Sequence, residues 1–293
     1  MDEGVQHDRP SVKKLIQEHG EEIALVHQEL EKEEFYNPNK HDDLWVLRFL
    51  LSHTKHTKVA VKAAKHTLQF RAEQKLDELD IYYCPINSGE QVPCQAIMRF
   101  RKYCEDDYFR AAVPNPQLGV IVLIVVAGID RRQLVKFVDE SVWMPSFLYA
   151  SEWTHQWLDY VTRTTGRLTK AIRIVDLTGI SPAKHMSAEA THREGKAMDA
   201  MEDCYPQMLQ SLFFVHPPLW IEAPWCIFRP ILPKRVRDKI DFISPEKRER
   251  DAKKLLKYIS ADQLPVRYGG TSTAWPVDIP LPTDLNDPTQ RGS

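Results

Sequence analysis

The sequence predicts an α/β fold with a mainly parallel sheet, because short apolar runs alternate along the chain with longer amphipathic stretches. The run at 120–126 is continuous and rich in β-branched residues, as in a strand buried on both faces of a parallel sheet. Further strands are predicted at 171–176, 211–216 and 241–243. Helical patterns separate these four runs, which is the order expected of parallel strands joined by helical crossovers.

Helices are predicted both before the first strand and between the strands. Their expected ranges are 11–34, 42–51, 57–74, 89–103, 131–138, 146–163, 187–209 and 244–259. The first three form a small all-α lobe. We therefore expect a helical lobe at 1–88, a second domain at 89–273 and a proline-rich, extended tail at 274–293.

Composition excludes several classes of protein. The 39 basic and 41 acidic residues nearly cancel, which argues against a nucleic-acid-binding partner. No apolar run reaches the roughly 18 residues that a transmembrane helix needs, and the polar, acidic start is unlike a signal peptide. We therefore expect a cytoplasmic protein. The five cysteines follow no zinc-ligand spacing, which favours reduced thiols and no metal site.

No catalytic motif is evident. The chain contains neither a G-x-S-x-G elbow, nor a Walker A loop, nor a G-x-G-x-x-G fingerprint. The eleven histidines are scattered without cysteine or carboxylate partners at metal-ligand spacing. We therefore expect a protein that is not an enzyme and that needs no cofactor.

The most distinctive stretch is an apolar segment at 219–232, followed by a basic cluster. Four of its apolar residues are spaced 4-3-4, as on one face of a helix: Ile221, Trp225, Phe228 and Leu232. A second apolar strip beside them consists of Pro224, Ile227 and Ile231. The basic residues are Arg229, Lys234, Arg235, Arg237 and Lys239. An ordinary core helix explains the spacing alone, whereas the basic cluster favours a surface that visits an anionic membrane.

Several short motifs occur in an informative order. They are L-R-F-L at 47–50, L-Q-F-R at 68–71, D-L-T-G-I at 176–180, Y-P-Q-M at 205–208, W-C-I-F-R-P-I-L at 225–232 and L-P-V-R-Y-G-G at 264–270. Together they resemble the CRAL-TRIO lipid-binding family, which includes phosphatidylinositol/phosphatidylcholine transfer proteins. The resemblance covers roughly residues 41–273, and it weakens at 51–56, where the family usually carries a basic run.

The resemblance implies that the sheet floors a lipid cavity and that the 219–232 segment is a hinged gate helix over it. In this arrangement one face of the gate covers the acyl chains when the gate is closed and enters the bilayer when the gate is open. That face consists of Ile221, Trp225, Phe228 and Leu232. The implied partners are a phospholipid and an anionic membrane surface, which the four basic residues from Arg229 to Arg237 would contact.

The resemblance also assigns headgroup positions. In the inositol-lipid proteins of the family, an acid, a lysine and a threonine form the phosphoinositol site, and here these positions are Gln207, Lys239 and Val236. The choline-lipid positions on the strands become Ala171 and Arg173, with Leu123 in place of a tyrosine. The resemblance therefore favours phosphatidylinositol over a choline lipid.

Strand alternation predicts the face of the sheet on which Arg173 lies. Side chains at 171, 173 and 175 share one face of the strand, so Arg173 places a permanent charge on the face implied to line the cavity. A charge there needs a partner. The sequence leaves three possible partners for this charge: an internal carboxylate, solvent at the strand end, or a phosphate or carboxylate of the ligand.

Two other functions remain open. One is a carrier of a different apolar ligand, such as a tocopherol, retinoid, sterol or haem. The other is a lipid-sensing scaffold that docks a protein partner through the tail at 274–293.

The gate hypothesis predicts that Trp225→Asp combined with Phe228→Asp abolishes lipid exchange between vesicles, because two carboxylates oppose entry into the bilayer. Circular dichroism should show a folded variant. Undiminished transfer would contradict the hypothesis, and wholesale unfolding would favour an ordinary core helix.

Overall fold

A five-stranded sheet forms the framework of the fold, and its strands lie side by side in chain order. The computed structural model describes residues 9–53, 56–79, 92–104, 109–112, 121–201, 203–221, 225–226, 229, 234–243, 253–262 and 264–273. The strands are β1 (Phe109–Ala112), β2 (Ile121–Val125), β3 (Ala171–Asp176), β4 (Leu209–Val215) and β5 (Ile240–Ile243). β1 is antiparallel to β2, whereas β2 to β5 are parallel. The predicted mainly parallel sheet is therefore confirmed.

The sequence does not predict β1. Its four residues, F-R-A-A, show neither a β-branched run nor clear alternation. β4 begins at Leu209 and β5 at Ile240, so each starts slightly earlier than predicted. These extra residues matter because they lie where the chain enters the sheet.

Helices surround the sheet and precede it. They are α1 (Val12–Glu18), α2 (Gly20–Leu30), α3 (Asp43–Ser52), α4 (Thr57–Glu73), α5 (Val92–Arg101), α6 (Arg131–Phe137), α7 (Glu140–Thr165), α8 (Pro182–His185), α9 (Ala188–Ala200) and α10 (Lys234–Arg237). The predicted helix 11–34 is interrupted at His19, which leaves the helical region and precedes a glycine. For the predicted helix 244–259, residues 244–252 lie outside the described chain and 253–256 are helical.

Two helix boundaries differ from the prediction for clear reasons. α7 begins at Glu140 rather than 146, because burial of Val142 and Trp143 outweighs the backbone hydrogen bond that Pro145 cannot donate. α9 ends at Ala200 rather than 209. The chain then turns, and Gln207 adopts a φ of 60°, a left-handed value that no α-helix accommodates.

The two faces of the sheet have different coverings. Ile172 and Ile174 of β3 and Phe213 of β4 point to one face. That face is packed by residues near the carboxyl end of the described chain, which we call the C-terminal layer: Leu255, Ile259, Leu264 and Tyr268. The alternate residues of these strands point to the opposite face. There Ala171 packs in a hydrophobic cluster with buried residues of α7.

Ion pairs join α3 and α4 to α7. Arg71 of α4 donates to both carboxylate oxygens of Glu152, over 3.0 and 3.1 Å. Tyr205 donates its hydroxyl to the same carboxylate over 2.9 Å. Arg48 of α3 lies 3.0 Å from Asp159. The arginines of the L-R-F-L and L-Q-F-R motifs therefore both bind α7.

The electrostatics of Glu152 show how much this contact matters. Burial alone would raise its pKa, but the charge and hydrogen bonds of Arg71 lower the pKa of Glu152 to about 2. The carboxylate therefore stays ionised inside the protein only because its partners remain in place.

Glu152→Gln should lower the free energy of unfolding by about 3 kcal/mol, because it leaves the buried Arg71 charge without its main counter-ion. The matched control is Glu140→Gln. Glu140 forms an ion pair with Lys196, in which the Glu140 side chain is 49% exposed and the Lys196 side chain 57% exposed. That change should have a much smaller effect, because a solvent-exposed ion pair contributes little to stability. Urea unfolding measures both, and equal effects would show that the Arg71–Glu152 pair does not stabilise the junction.

Candidate ligand-binding face

The sheet face opposite the C-terminal layer, which we call the inner face, is apolar apart from one residue. On β3, β4 and β5, strand alternation and register assign seven residues to it: Ala171, Arg173, Val175, Leu212, Phe214, Ile240 and Phe242. The rings of Phe214 and Phe242 stack with centroids 5.1 Å apart. An apolar sheet face of this kind needs a cover, which in the described chain comes partly from the 219–232 segment.

Trp225 lies over β4 and β5. Its ring is 5.6 Å from that of Phe214 and 5.0 Å from that of Phe242, both nearly edge-to-face. Ile221 packs against the cluster of Val175 and Leu212. Two of the predicted gate residues therefore contact the inner face.

The rest of the predicted gate differs or is not described. Ile221 ends a 3-10 turn, Leu219–Ile221, rather than lying within an α-helix. A turn fits this position because Pro218 precedes it and supplies the carbonyl that Ile221 N–H binds. Outside the described residues lie Phe228, Ile227, Ile231 and Leu232, and also the side chain of Leu123, although its backbone belongs to β2.

Arg173 occupies the middle of the inner face. It is the third residue of β3, in register with Val122 of β2 and Leu212 of β4. It is partly buried, and burial lowers its pKa. Within the described chain, no carboxylate or hydrogen-bond acceptor is paired with its guanidinium.

The predicted headgroup residues lie where the chain enters the parallel strands. Lys239, just before β5, donates its ammonium to the carbonyl of Leu209 over 2.6 Å. Its backbone N–H donates to the carbonyl of Val236 over 3.0 Å. Gln207, two residues before β4, donates to the hydroxyl of Ser52 over 3.1 Å. Lys239 therefore lies beside Val236 at the start of β5, and Gln207 lies just before the start of the neighbouring strand β4.

Lys170 is a further cation here, and the sequence analysis missed it. It immediately precedes β3, and burial followed by the charge of Lys239 lowers the pKa of Lys170 to about 8. One signal could have identified it: Lys170 and Lys239 both precede predicted parallel strands, whose amino ends meet at one edge of a sheet.

The basic cluster is described in part. Arg229 is exposed and Arg237 partly exposed. Lys234 and Arg235 belong to α10, but their side chains lie outside the described parts of the chain. Leu219, at the start of the apolar segment, is 90% exposed. An exposed leucine and an exposed arginine therefore occur in the 219–232 segment.

At the carboxyl end of β3, two of the sequence motifs meet. The buried Asp176 pairs with Arg267 and accepts a hydrogen bond of 2.7 Å from the Tyr268 hydroxyl. Burial would raise the pKa of Asp176, but hydrogen bonds from His216, Thr178 and Tyr268 hold it well below its usual range. The network joins the D-L-T-G-I turn to the L-P-V-R-Y-G-G segment.

The two closing glycines have distinct roles. Gly269 has a φ of 95°, as expected for a left-handed turn. Gly270 is needed for a close approach, since a Cβ there would lie 1.8 Å from the carbonyl oxygen of Leu264. This turn seats Tyr268 against Asp176.

The described chain offers no grouping of histidine, cysteine and acidic side chains suited to a metal ion. Cys204 and Cys226 form no disulfide with another described residue. None of the described helices is both long and apolar enough to cross a bilayer.

Comparison with known proteins places this fold. Residues 132–270 match the CRAL/TRIO domain. Patellin-5 of Arabidopsis thaliana is 36% identical over 77 residues, which is 26% of this chain but 11% of that protein. Patellin-1 of the same plant is 22% identical over 255 residues, covering 82% of this chain and 38% of its own length. The chain thus spans well under two thirds of these patellins.

Two further relatives match over greater shares of their length. SEC14 cytosolic factor of Eremothecium gossypii is 25% identical over 235 residues, covering 79% of this chain and 70% of that protein. The crystal structure of Sfh5 superposes with a TM-score of 0.54 over 95% of both chains at 15% identity, which shows a shared fold. The chain is therefore similar to the CRAL/TRIO domain over residues 132–270.

Proposed function

We propose that this protein binds one phospholipid, phosphatidylinositol, on the inner face of its sheet and transfers it between membranes. The observation that carries the proposal is the seating of Trp225 over Phe214 and Phe242. It makes Trp225 part of a cover for an apolar surface, and a cover that opens would expose that surface to a lipid.

The physics of transfer sets what such a protein must do. The two acyl chains of a phospholipid hold on the order of 30 methylenes, and each costs about 0.8 kcal/mol to expose to water. The sum exceeds roughly 20 kcal/mol, so unassisted passage through water is negligible. A carrier must therefore present an apolar surface that opens only at the membrane.

The segment around the gate suits that requirement. Leu219 is already 90% exposed, and Arg229 and Arg237 add positive charge nearby in the chain. Each such charge contributes about 1 kcal/mol near an anionic leaflet. Membrane contact would thus orient the gate towards the bilayer, where apolar residues of the segment enter the lipid.

Lys239 and Gln207 are the proposed headgroup contacts. Gln207 can donate to and accept from inositol hydroxyls, and Lys239 offers charge to a phosphate. The partly buried Lys170 strengthens this edge, because it adds a second positive charge close to that of Lys239.

A second candidate is a carrier of another apolar ligand. The specific observation in its favour is that the family's acid and threonine positions hold Gln207 and Val236 here. The scaffold alternative depends on the tail at 274–293, which lies outside the described residues.

Lys239→Ala should lower the rate of phosphatidylinositol transfer between vesicles at least tenfold, equivalent to about 1.4 kcal/mol of lost headgroup interaction. The matched control is Lys253→Ala, which removes an exposed lysine and should transfer normally. Transfer of a lipid without inositol, measured in parallel, should be unaffected by either change. An equal loss for every lipid would mean that Lys239 acts at the membrane surface and not on the headgroup.

A further inference from the structure

Arg173 differs from the buried arginines of this protein. Three arginines of the described chain are classed as buried, and each is paired with a carboxylate. Arg48 pairs with Asp159, Arg71 with Glu152 and Arg131 with Glu194. Arg173 is partly buried in the centre of the sheet, yet no carboxylate of the described residues pairs with it.

Its surroundings make the lack of a partner costly. Among the described side chains, Ala171 and Val175 of its own strand and Leu212 of β4 lie beside it on the inner face. All three are buried and apolar. An arginine side chain does not lose its proton in proteins, so the charge cannot be removed by titration. A charge on such a surface requires an opposite charge with hydrogen-bond acceptors.

A second buried donor lies in the adjoining cluster. The indole N–H of Trp153, a residue that is 3% exposed, has no hydrogen-bond acceptor among the described residues. Trp153 packs in the cluster that includes Ala171 and Ile124, two residues of the inner side of the sheet. Both Arg173 and Trp153 donate hydrogen bonds only, so a ligand group rich in acceptors suits this region.

We infer that Arg173 binds the oxyanion of the bound amphiphile, a carboxylate or a phosphate with two free oxygens, on the inner face of the sheet. This inference rests on the proposed lipid binding and specifies the class of lipid. The planar guanidinium donates two parallel hydrogen bonds to such a group. A choline headgroup would bring its own cation towards Arg173, so zwitterionic choline lipids are disfavoured.

The test is a competition between lipids for the full chain. The protein is incubated with vesicles that contain phosphatidylinositol and phosphatidylcholine in equal amounts, re-isolated, and its bound lipid identified by mass spectrometry. A parallel arm replaces phosphatidylinositol with oleate, which separates a phosphate from a carboxylate ligand. The unmodified protein should favour the anionic lipid of one arm at least tenfold.

Three variants make the test specific. Arg173→Ser and Arg173→Met should lower the anionic preference at least tenfold while total bound lipid stays similar. Two uncharged replacements of different size guard against a local packing defect. Arg132→Ser removes an exposed arginine from α6 and should retain the preference of the unmodified protein.

The outcomes are distinguishable. Unchanged anionic preference in both Arg173 variants would overturn the inference while leaving lipid binding intact. Folded variants that bind no lipid of any class would also overturn it, because Arg173 would then be structural. If the unmodified protein binds no lipid in either arm, the proposed function itself fails.

Discussion

The arrangement of this protein depends on the hydrogen bonds that the buried carboxylate of Glu152 accepts. It accepts hydrogen bonds from Arg71 of the helical lobe, from Gln156 one turn along α7, and from Tyr205. Tyr205 lies two residues before Gln207 and four before the first residue of β4. One buried, ionised group therefore fixes the lobe, the long helix and the entry to the sheet relative to one another. Because the entry to β4 also carries the carbonyl that Lys239 binds, the proposed headgroup edge is held by the same contact.

The two faces of the sheet have different coverings, and this is why we propose a ligand on only one of them. The C-terminal layer fills one face with Leu255, Ile259 and Leu264, and the Asp176–Arg267–Tyr268 network fastens it to the end of β3. The inner face is covered partly by α7 and partly by Ile221 and Trp225. The proposed gate requires this second cover to open at a lower cost in free energy than the packed layer, as ligand-binding loops and lids do. The asymmetry between the coverings is the physical basis of the proposed gate.

Much of the fold follows from the sequence because its signals are local. The β-branched run in β2 and the apolar run in β3 predict buried parallel strands, and alternation alone assigns Arg173 to the inner face. Other features depend on contacts between distant residues. Arg71 and Glu152 are 81 residues apart, and Asp176 and Arg267 are 91 apart, so neither pair shows in the sequence. The left-handed backbone of Gln207, between α9 and β4, is unusual for a residue other than glycine and is not evident from the sequence. The lack of a described partner for Arg173 likewise becomes visible only once its neighbours are known.

The central claim is that an amphiphile occupies the inner face. Native mass spectrometry of the full chain, after incubation with phosphatidylinositol vesicles and re-isolation without detergent, tests it most directly. The account predicts a mass above the 34.0 kDa of the chain by one lipid molecule. It also predicts that the adduct is lost on unfolding in acid, when the apolar face disperses. A mass equal to that of the chain alone, under gentle conditions and with lipid in excess, would contradict the account.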